Sequence, residues 1–131
     1  MRRYHMVGVT PDAVLPVVGT KEAIALLPTL LGIRGGFVVI PEVAYPTYEV
    51  AALVGENRVL RADSLLKIGP ETPDLLFLNS PSNPTGKVLG LDHLRKGVGW
   101  ARERGVILAS DECYLGLGWE DEHEPISILD P

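Results

Sequence analysis

The segment Ser110–Tyr114 places an acidic side chain at the end of an apolar run. Val106–Ala109 consists of valine, isoleucine, leucine and alanine, and Asp111 and Tyr114 follow it. A carboxylate in this position is costly to bury unless it has a cationic or hydrogen-bonding partner. Asp111 therefore either caps the following turn or pairs with a cationic ligand, which the hydroxyl group of Tyr114 could also reach.

A proline-rich loop with one amide near its centre follows a second apolar run. Leu75–Leu78 leads into Asn-Ser-Pro-Ser-Asn-Pro-Thr-Gly at Asn79–Gly86. Two prolines and a glycine restrict this backbone more than a simple turn requires, so Asn83 projects a side-chain amide that is held in place. The pattern favours a binding loop over a plain turn.

Two further motifs, ambiguous when taken alone, could bind a phosphate group and a flat ring. Gly19, Thr20 and Lys21 lie where an apolar run turns into an amphipathic stretch. The start of a helix offers backbone N–H groups and the positive end of its dipole to an anion. Tyr45 follows the apolar run Phe37–Ile40, where its ring could stack on a heteroaromatic group. The alternatives are a Thr20 helix cap and a tyrosine packed at the edge of the core.

The elements that must position these motifs are short apolar runs alternating with amphipathic stretches. This alternation predicts a layered α/β domain with a largely parallel sheet. The predicted strands are Ala13–Val18, Phe37–Ile40, Asn57–Arg61, Leu75–Asn79 and Val106–Ser110, and the predicted helices are Lys21–Leu31, Thr47–Val54 and Leu91–Arg104. Every motif follows a strand, so all four should lie along the carboxyl edge of one sheet, where such sheets bind ligands.

Three residues should shape the helix ends. Pro28 removes a helical hydrogen bond and should kink the first helix or end it early. Asp92 can cap the third helix, and Gly105 should end it.

Composition and charge exclude several classes of function. The chain has 131 residues, of which 46% are hydrophobic and 22% charged, as in an ordinary globular domain. A net charge of -5 predicts neither nucleic-acid nor anionic-membrane binding. Isolated histidines and one cysteine, Cys113, give no metal-ligand spacing and are consistent with a reducing compartment. We expect a cytoplasmic protein without a metal site.

In their order, the four motifs resemble those of class I/II aminotransferases of fold type I, over nearly the whole chain. The resemblance implies part of a three-layer α/β/α large domain that binds pyridoxal 5′-phosphate. In that family pattern Asp111 would pair with the ring nitrogen and keep it protonated. The other implied contacts are phosphate binding by Gly19, Thr20 and Lys21, ring stacking by Tyr45, and hydrogen bonds from Asn83 and Tyr114 to the phenolic oxygen.

The wording of three segments is similar to a narrower group within that family. Val17–Glu22, Ala44–Val50 and Ser110–Tyr114 resemble the actinobacterial succinyldiaminopimelate aminotransferases of lysine biosynthesis. This likeness implies amino-acid and keto-acid substrates and a homodimeric full-length protein.

The resemblance also implies a Schiff-base lysine some tens of residues after Asp111. The lysines of this chain all precede Asp111, and they are Lys21, Lys67, Lys87 and Lys96. Ser64–Lys67 imitates the family's Ser-x-x-Lys pattern but precedes the Asn79–Gly86 loop, so we interpret Lys67 as a surface residue.

We therefore expect residues 1–131 to be a partial cofactor-binding large domain, without the amino-terminal segment, the later strands and the carboxyl-terminal small domain. By itself such a chain should be inactive and only marginally stable. One alternative is a non-catalytic cofactor- or partner-binding fragment. A Rossmann-type nucleotide domain is less favoured, because no Gly-x-Gly-x-x-Gly follows the first strand.

Overall fold

The computed structural model describes residues 9–119 and 124–129, which form helices on both faces of a four-stranded sheet. All strand pairs are parallel, in the order β2-β1-β3-β4. The strands are β1 Phe37–Ile40, β2 Arg58–Arg61, β3 Leu75–Asn79 and β4 Ile107–Asp111. The helices are α1 Thr20–Leu30, α2 Pro46–Val54, α3 Leu65–Ile68 and α4 Leu91–Arg104, with 3₁₀ turns at Pro11–Ala13 and Leu115–Leu117. The predicted α/β fold with its parallel sheet is confirmed.

The central strands β1 and β3 are buried because helices cover both of their faces, as parallel sheets require. Successive residues of a strand point to opposite faces, so each strand contributes to two cores. Against α1 and α2 lies a cluster that contains Ile24, Val38, Ile40, Tyr48, Ala52 and Phe77. Against α3 and α4 lies a second cluster, which contains Phe37, Val39, Ile68, Leu76, Ala101 and Val106.

The register of β3 and β4 brings two polar residues to the same edge of the sheet. Leu75 pairs with Ile107 at one end of the ladder, and Asn79 pairs with Asp111 at the other. Because the strands are parallel, the loops that follow Asn79 and Asp111 leave the sheet side by side. The proline-rich loop and the Asp111–Tyr114 segment are therefore neighbours, as the sequence predicts.

The predicted strand Ala13–Val18 is wrong. A 3₁₀ turn occupies Pro11–Ala13, and the residues after it have no regular structure up to the start of α1. Leu15 and Val18 are 77% and 98% exposed. A strand forms only beside a partner, and within residues 9–119 and 124–129 β4 is the last strand on its side. Pro16 also lacks a backbone donor for a ladder.

The helix ends follow the predictions in part. α1 contains Pro28, which is buried, and ends two residues later at Leu30. Gly105 ends α4 in the left-handed conformation with φ 68°, as predicted. Asp92 does not cap α4, because the N-cap is Gly90 and no side chain bonds there. Asp92 lies in the first helical turn, where its negative charge interacts favourably with the positive end of the helix dipole.

Side chains also join the amino ends of the strands. Asn57 Nδ2 donates to the carbonyl groups of Ile33 (3.2 Å) and Ala52 (3.0 Å), and Asn57 Oδ1 accepts the Gly36 N–H (2.8 Å). Asp74 Oδ2 accepts the Phe37 N–H at 2.8 Å. A Cβ at Gly36 would clash with Asp74 Oδ2, so a larger residue there would displace the carboxylate that accepts the Phe37 N–H. This edge of the sheet is closed by contacts within the fold.

Candidate functional site

Asp111, the last residue of β4, has a different partner for each carboxylate oxygen. Oδ2 accepts the Tyr48 hydroxyl at 2.6 Å, and Oδ1 accepts the Cys113 N–H at 3.2 Å. Asp111 therefore does cap the following turn, with one oxygen. A carboxylate offers about four lone-pair positions, so Asp111 can accept a further N–H.

Tyr48 is a hydrogen-bond partner of Asp111 that the sequence interpretation missed. Its side chain is fully buried, and its ring stacks on Phe77 with centroids 5.0 Å apart. Burial, and next the hydrogen bond to Asp111, raise the pKa of the Tyr48 phenol above its ordinary value. The phenol therefore stays protonated and donates to the carboxylate. The available signal was its spacing, three residues after Tyr45 and thus one helical turn away.

Tyr45 precedes α2 and is half-buried. Its ring meets that of Tyr48 edge to face, with centroids 6.1 Å apart. The loop before it is fastened at two points, because the Glu42 N–H donates to Asp63 Oδ1 (3.0 Å) and Arg61 Nη1 donates to the Glu42 carbonyl group (3.2 Å). The structure thus connects Tyr45 to Asp111 through Tyr48.

Asn83 and Tyr114 approach each other from the ends of β3 and β4. Asn83 Nδ2 lies 3.5 Å from the Tyr114 hydroxyl oxygen, at the limit for a hydrogen bond. Both line a depression of about 720 Å³ together with Leu117 and the exposed Trp119. The backbone of Asn83 is held separately, since its N–H donates to Asn79 Oδ1 at 2.7 Å.

Of the three predicted residues at the start of α1, Thr20 alone lines the cleft beside Asp111. Gly19 is the N-cap in an extended conformation, and no side chain bonds there, so Thr20 is not the cap. Thr20 and Asp111 line the same cleft, of about 390 Å³, between α1 and β4. Gly19 and Lys21 are exposed and lie outside its lining. The predicted residues thus fall into a group around Asp111 and a second group, Asn83 with Tyr114.

Cys113 is exposed as a residue, but its sulfur atom is partly shielded from water. Burial of the sulfur, and next the negative charge of Asp111, raise the pKa of Cys113 to about 11. The thiolate is the nucleophilic form of cysteine. The site around Asp111 therefore contains a neutral phenol, a neutral thiol and a carboxylate.

A cleft of about 580 Å³ lies on the other face of the sheet, between β3 and α4. Six leucine and isoleucine side chains contribute to its lining, and Lys87, His93 and Lys96 line it as well. None of the predicted site residues lines it. In the described part of the chain there is also no cluster of histidine, cysteine and acidic side chains that could hold a metal, and no helix long and apolar enough to cross a membrane.

Comparison with known proteins decides the family. The family described as aminotransferase class I and II matches residues 1–130. The chain belongs to the class I and II aminotransferases. Proteins of this family use pyridoxal phosphate. Membership removes the Rossmann-type alternative.

Individual relatives agree with this assignment. The chain is 64% identical over 131 residues to a probable aminotransferase of Mycobacterium tuberculosis, covering 99% of this chain and 31% of that protein. It is 48% identical over 131 residues to the 4-dedimethylamino-4-oxo-anhydrotetracycline transaminase OxyQ of Streptomyces rimosus, covering 99% and 36%. The chain thus spans about a third of the length of these relatives.

A solved structure has the same fold. The probable N-succinyldiaminopimelate aminotransferase of Thermus thermophilus superposes with a TM-score of 0.79 and 32% sequence identity, covering 89% of this chain and 34% of that one. The assignment to a partial α/β domain of this family therefore rests on both sequence and structure.

Proposed function

We propose that the protein carrying this chain is a pyridoxal-phosphate-dependent aminotransferase, and that the carboxyl edge of the sheet is its cofactor site. The observation that carries the proposal is the placement of Asp111. Its carboxylate lies at the end of a strand, is held by a buried phenol, and lines a cleft shared with the first turn of a helix. A cationic ring nitrogen suits such a carboxylate, and a phosphate suits such a helix end.

The residues present fit the cofactor in chemistry, and the cleft beside Asp111 has the size of a small-molecule site. The cleft between α1 and β4 falls within the usual range of roughly 300–1,000 Å³ for small-molecule sites. Asp111 has lone pairs left for an N–H donor. Asn83 and Tyr114 bring an amide and a hydroxyl group together at the neighbouring strand end, where a phenolic oxygen could accept from both.

Each residue of the proposed cofactor site has a separate role. Asp111 would hold a proton on the ring nitrogen, and the hydrogen bond from Tyr48 orients the carboxylate. Tyr45 offers a ring face for stacking. Thr20, with the backbone of Gly19 and Lys21, binds the phosphate, while Asn83 and Tyr114 bind the phenolic oxygen. Pyridoxal phosphate, when bound, supplies a ring that accepts electrons from the substrate.

For the substrate, we propose transfer between an amino acid and a keto acid, with succinylated diaminopimelate as the first candidate and lysine biosynthesis as the context. The support is the wording of Val17–Glu22, Ala44–Val50 and Ser110–Tyr114, and the name of the Thermus thermophilus relative. The Streptomyces rimosus relative is named for a different carbonyl substrate. Substrate choice must therefore be measured with a panel.

The test uses the intact protein, expressed from the whole reading frame that encodes this chain. Purified protein should change the visible absorbance of added pyridoxal phosphate and exchange amino groups between glutamate and a keto acid. The panel should include succinylated 2-amino-6-oxopimelate, pyruvate and oxaloacetate as acceptors. If only other acceptors react, the proposed substrate is wrong while the aminotransferase activity stands. If no acceptor reacts, the proposed aminotransferase activity is wrong.

We also propose that the intact protein is a homodimer in the cytoplasm. The family assignment supports the dimer. The single cysteine is consistent with a reducing compartment and so supports the cytoplasmic location. Light scattering on the intact protein should give twice the mass of one chain, and a monomer mass would contradict the dimer. Fractionation of the source cells tests the location.

A further inference from the structure

Asn79, the last residue of β3, connects two backbones that carry proposed cofactor contacts. Its Nδ2 donates to the carbonyl groups of Asp111 (3.0 Å) and Pro81 (3.2 Å). Its Oδ1 accepts the Asn83 N–H at 2.7 Å. The residue is only 6% exposed, so these bonds have little competition from water.

The bonds of Asn79 join neighbouring strand ends that leave the sheet as separate loops. Asp111 ends β4, and Asn83 lies in the proline-rich loop after β3. One backbone bond supports the same junction, from the Ser80 N–H to the Asp111 carbonyl group at 3.2 Å. The side chain of Asn79 thus bonds to the backbone of both segments.

We propose that Asn79 is a positioning residue that sets the spacing between Asp111 and Asn83. The inference rests on the proposed function, in which Asp111 meets the ring nitrogen and Asn83 meets the phenolic oxygen. A pyridine ring is rigid, so both contacts form together only when the two protein groups keep one spacing. Binding groups keep their positions to within a fraction of an ångström when neighbouring side chains, themselves fixed by packing, hydrogen-bond to them.

Asn57 offers a matched reference at the opposite edge of the sheet. It is also a buried asparagine, 3% exposed, whose Nδ2 donates to two carbonyl groups and whose Oδ1 accepts one N–H. Its partners Ile33, Gly36 and Ala52 lie away from the proposed site. A role limited to folding would make the two asparagines respond alike to the same substitution.

The experiment compares Asn79→Asp with Asn57→Asp in the intact protein. Aspartate keeps the acceptor oxygen but removes both donors and sets a carboxyl group against two carbonyl oxygens. Urea unfolding, titration of the apoprotein with pyridoxal phosphate, and the pH titration of bound-cofactor absorbance are measured for each. Both variants should lose stability. Asn79→Asp alone should bind cofactor about tenfold more weakly and shift the pH midpoint of its absorbance.

Two additions keep the test decisive if Asn79→Asp does not fold. Asn79→Ser, which retains a hydroxyl group, should fold and show a smaller shift in the same direction. In the wild-type apoprotein the Asn83 amide hydrogen should exchange slowly, because Asn79 accepts it.

The outcomes separate the two claims. If wild-type protein binds pyridoxal phosphate but the Asn79 variants bind it as tightly as Asn57→Asp does, the positioning role is wrong while the function stands. Rapid exchange of the Asn83 amide hydrogen in wild-type protein would also overturn the positioning role. If wild-type protein leaves the cofactor spectrum unchanged, the proposed function and this inference both fail.

Discussion

The two edges of the sheet use the same residue types but leave different groups available. At the amino edge, Asn57 bonds only to backbone groups and Asp74 accepts the Phe37 N–H. At the carboxyl edge, Asn79 bonds to backbone in the same way, but Asp111 bonds to a buried phenol and faces a cleft. The amino edge thus completes the fold, while the carboxyl edge holds a charge ready for a ligand.

Contacts that stabilise the fold and groups available for chemistry thus lie at opposite edges of the same sheet. The side-chain bonds of Asn57 satisfy polar groups that would otherwise be buried without partners. The carboxyl edge uses the same bonding by Asn79 to support loops that carry Asn83 and Asp111. Open α/β sheets bind ligands at this edge because the loops after parallel strands converge there.

We expect the largest loss of activity and stability, relative to the intact protein, when residues 1–131 are expressed alone. β4 has no partner on its outer side among residues 9–119 and 124–129, and Leu15 and Val18 are exposed. Unpaired backbone and exposed apolar surface make such an edge a site of association. We expect no transamination, weak cofactor binding and broad thermal unfolding. A monomer that unfolds sharply and transaminates would contradict this expectation.

The next largest effect is expected from Asp111→Asn in the intact protein. The substitution keeps the shape but removes the charge that favours a protonated ring nitrogen. The turnover number should fall at least about a hundredfold, which corresponds to ~3 kcal/mol or more in barrier height. Steady-state kinetics with glutamate as donor measure it.

The control for that variant is Asp74→Asn at the amino edge. Asp74 bonds to the Phe37 N–H, which an amide oxygen can still accept, so the cost should be about 1 kcal/mol in unfolding free energy. Turnover should stay within about twofold, or ~0.4 kcal/mol. Equal losses of turnover in the two variants would show that the edges do not differ in function.

Tyr48→Phe should have an intermediate effect. The ring keeps its packing on Phe77, and only the hydrogen bond to Asp111 Oδ2 is lost. Hydrogen bonds to charged groups contribute about 1.5–3 kcal/mol, so turnover should fall by roughly tenfold or more. Unchanged turnover at cofactor saturation would mean that Tyr48 only fills the core.

The smallest effect concerns the reactivity of Cys113. Because burial and the charge of Asp111 raise its pKa to about 11, alkylation by iodoacetamide should be slow at pH 8 and rise steeply above pH 9. Asp111→Asn should lower this pKa and speed alkylation at pH 8, whereas Asp74→Asn should not. Equal alkylation rates in all three proteins would show that Asp111 does not act on the thiol.

Much of the frame could be predicted from the sequence, because buried parallel strands are continuous apolar runs. Phe37–Ile40 and Leu75–Asn79 were predicted with the observed bounds, and the last strand within one residue. Ala13–Val18 failed because an apolar run shows that a segment can form a strand but not whether a neighbour exists to pair with it. Tyr48 was missed for a related reason, since its partner Asp111 is 63 residues away.

Nuclear magnetic resonance of the cofactor's ring nitrogen can show whether Asp111 holds a proton on that nitrogen. The intact protein is loaded with pyridoxal phosphate that is isotope-labelled at the ring nitrogen, as wild type, Asp111→Asn and Asp74→Asn. We predict the chemical shift of a protonated nitrogen in wild type and Asp74→Asn, and of an unprotonated nitrogen in Asp111→Asn. A protonated nitrogen in all three proteins would show that the Asp111 carboxylate is not what keeps that proton on the ring.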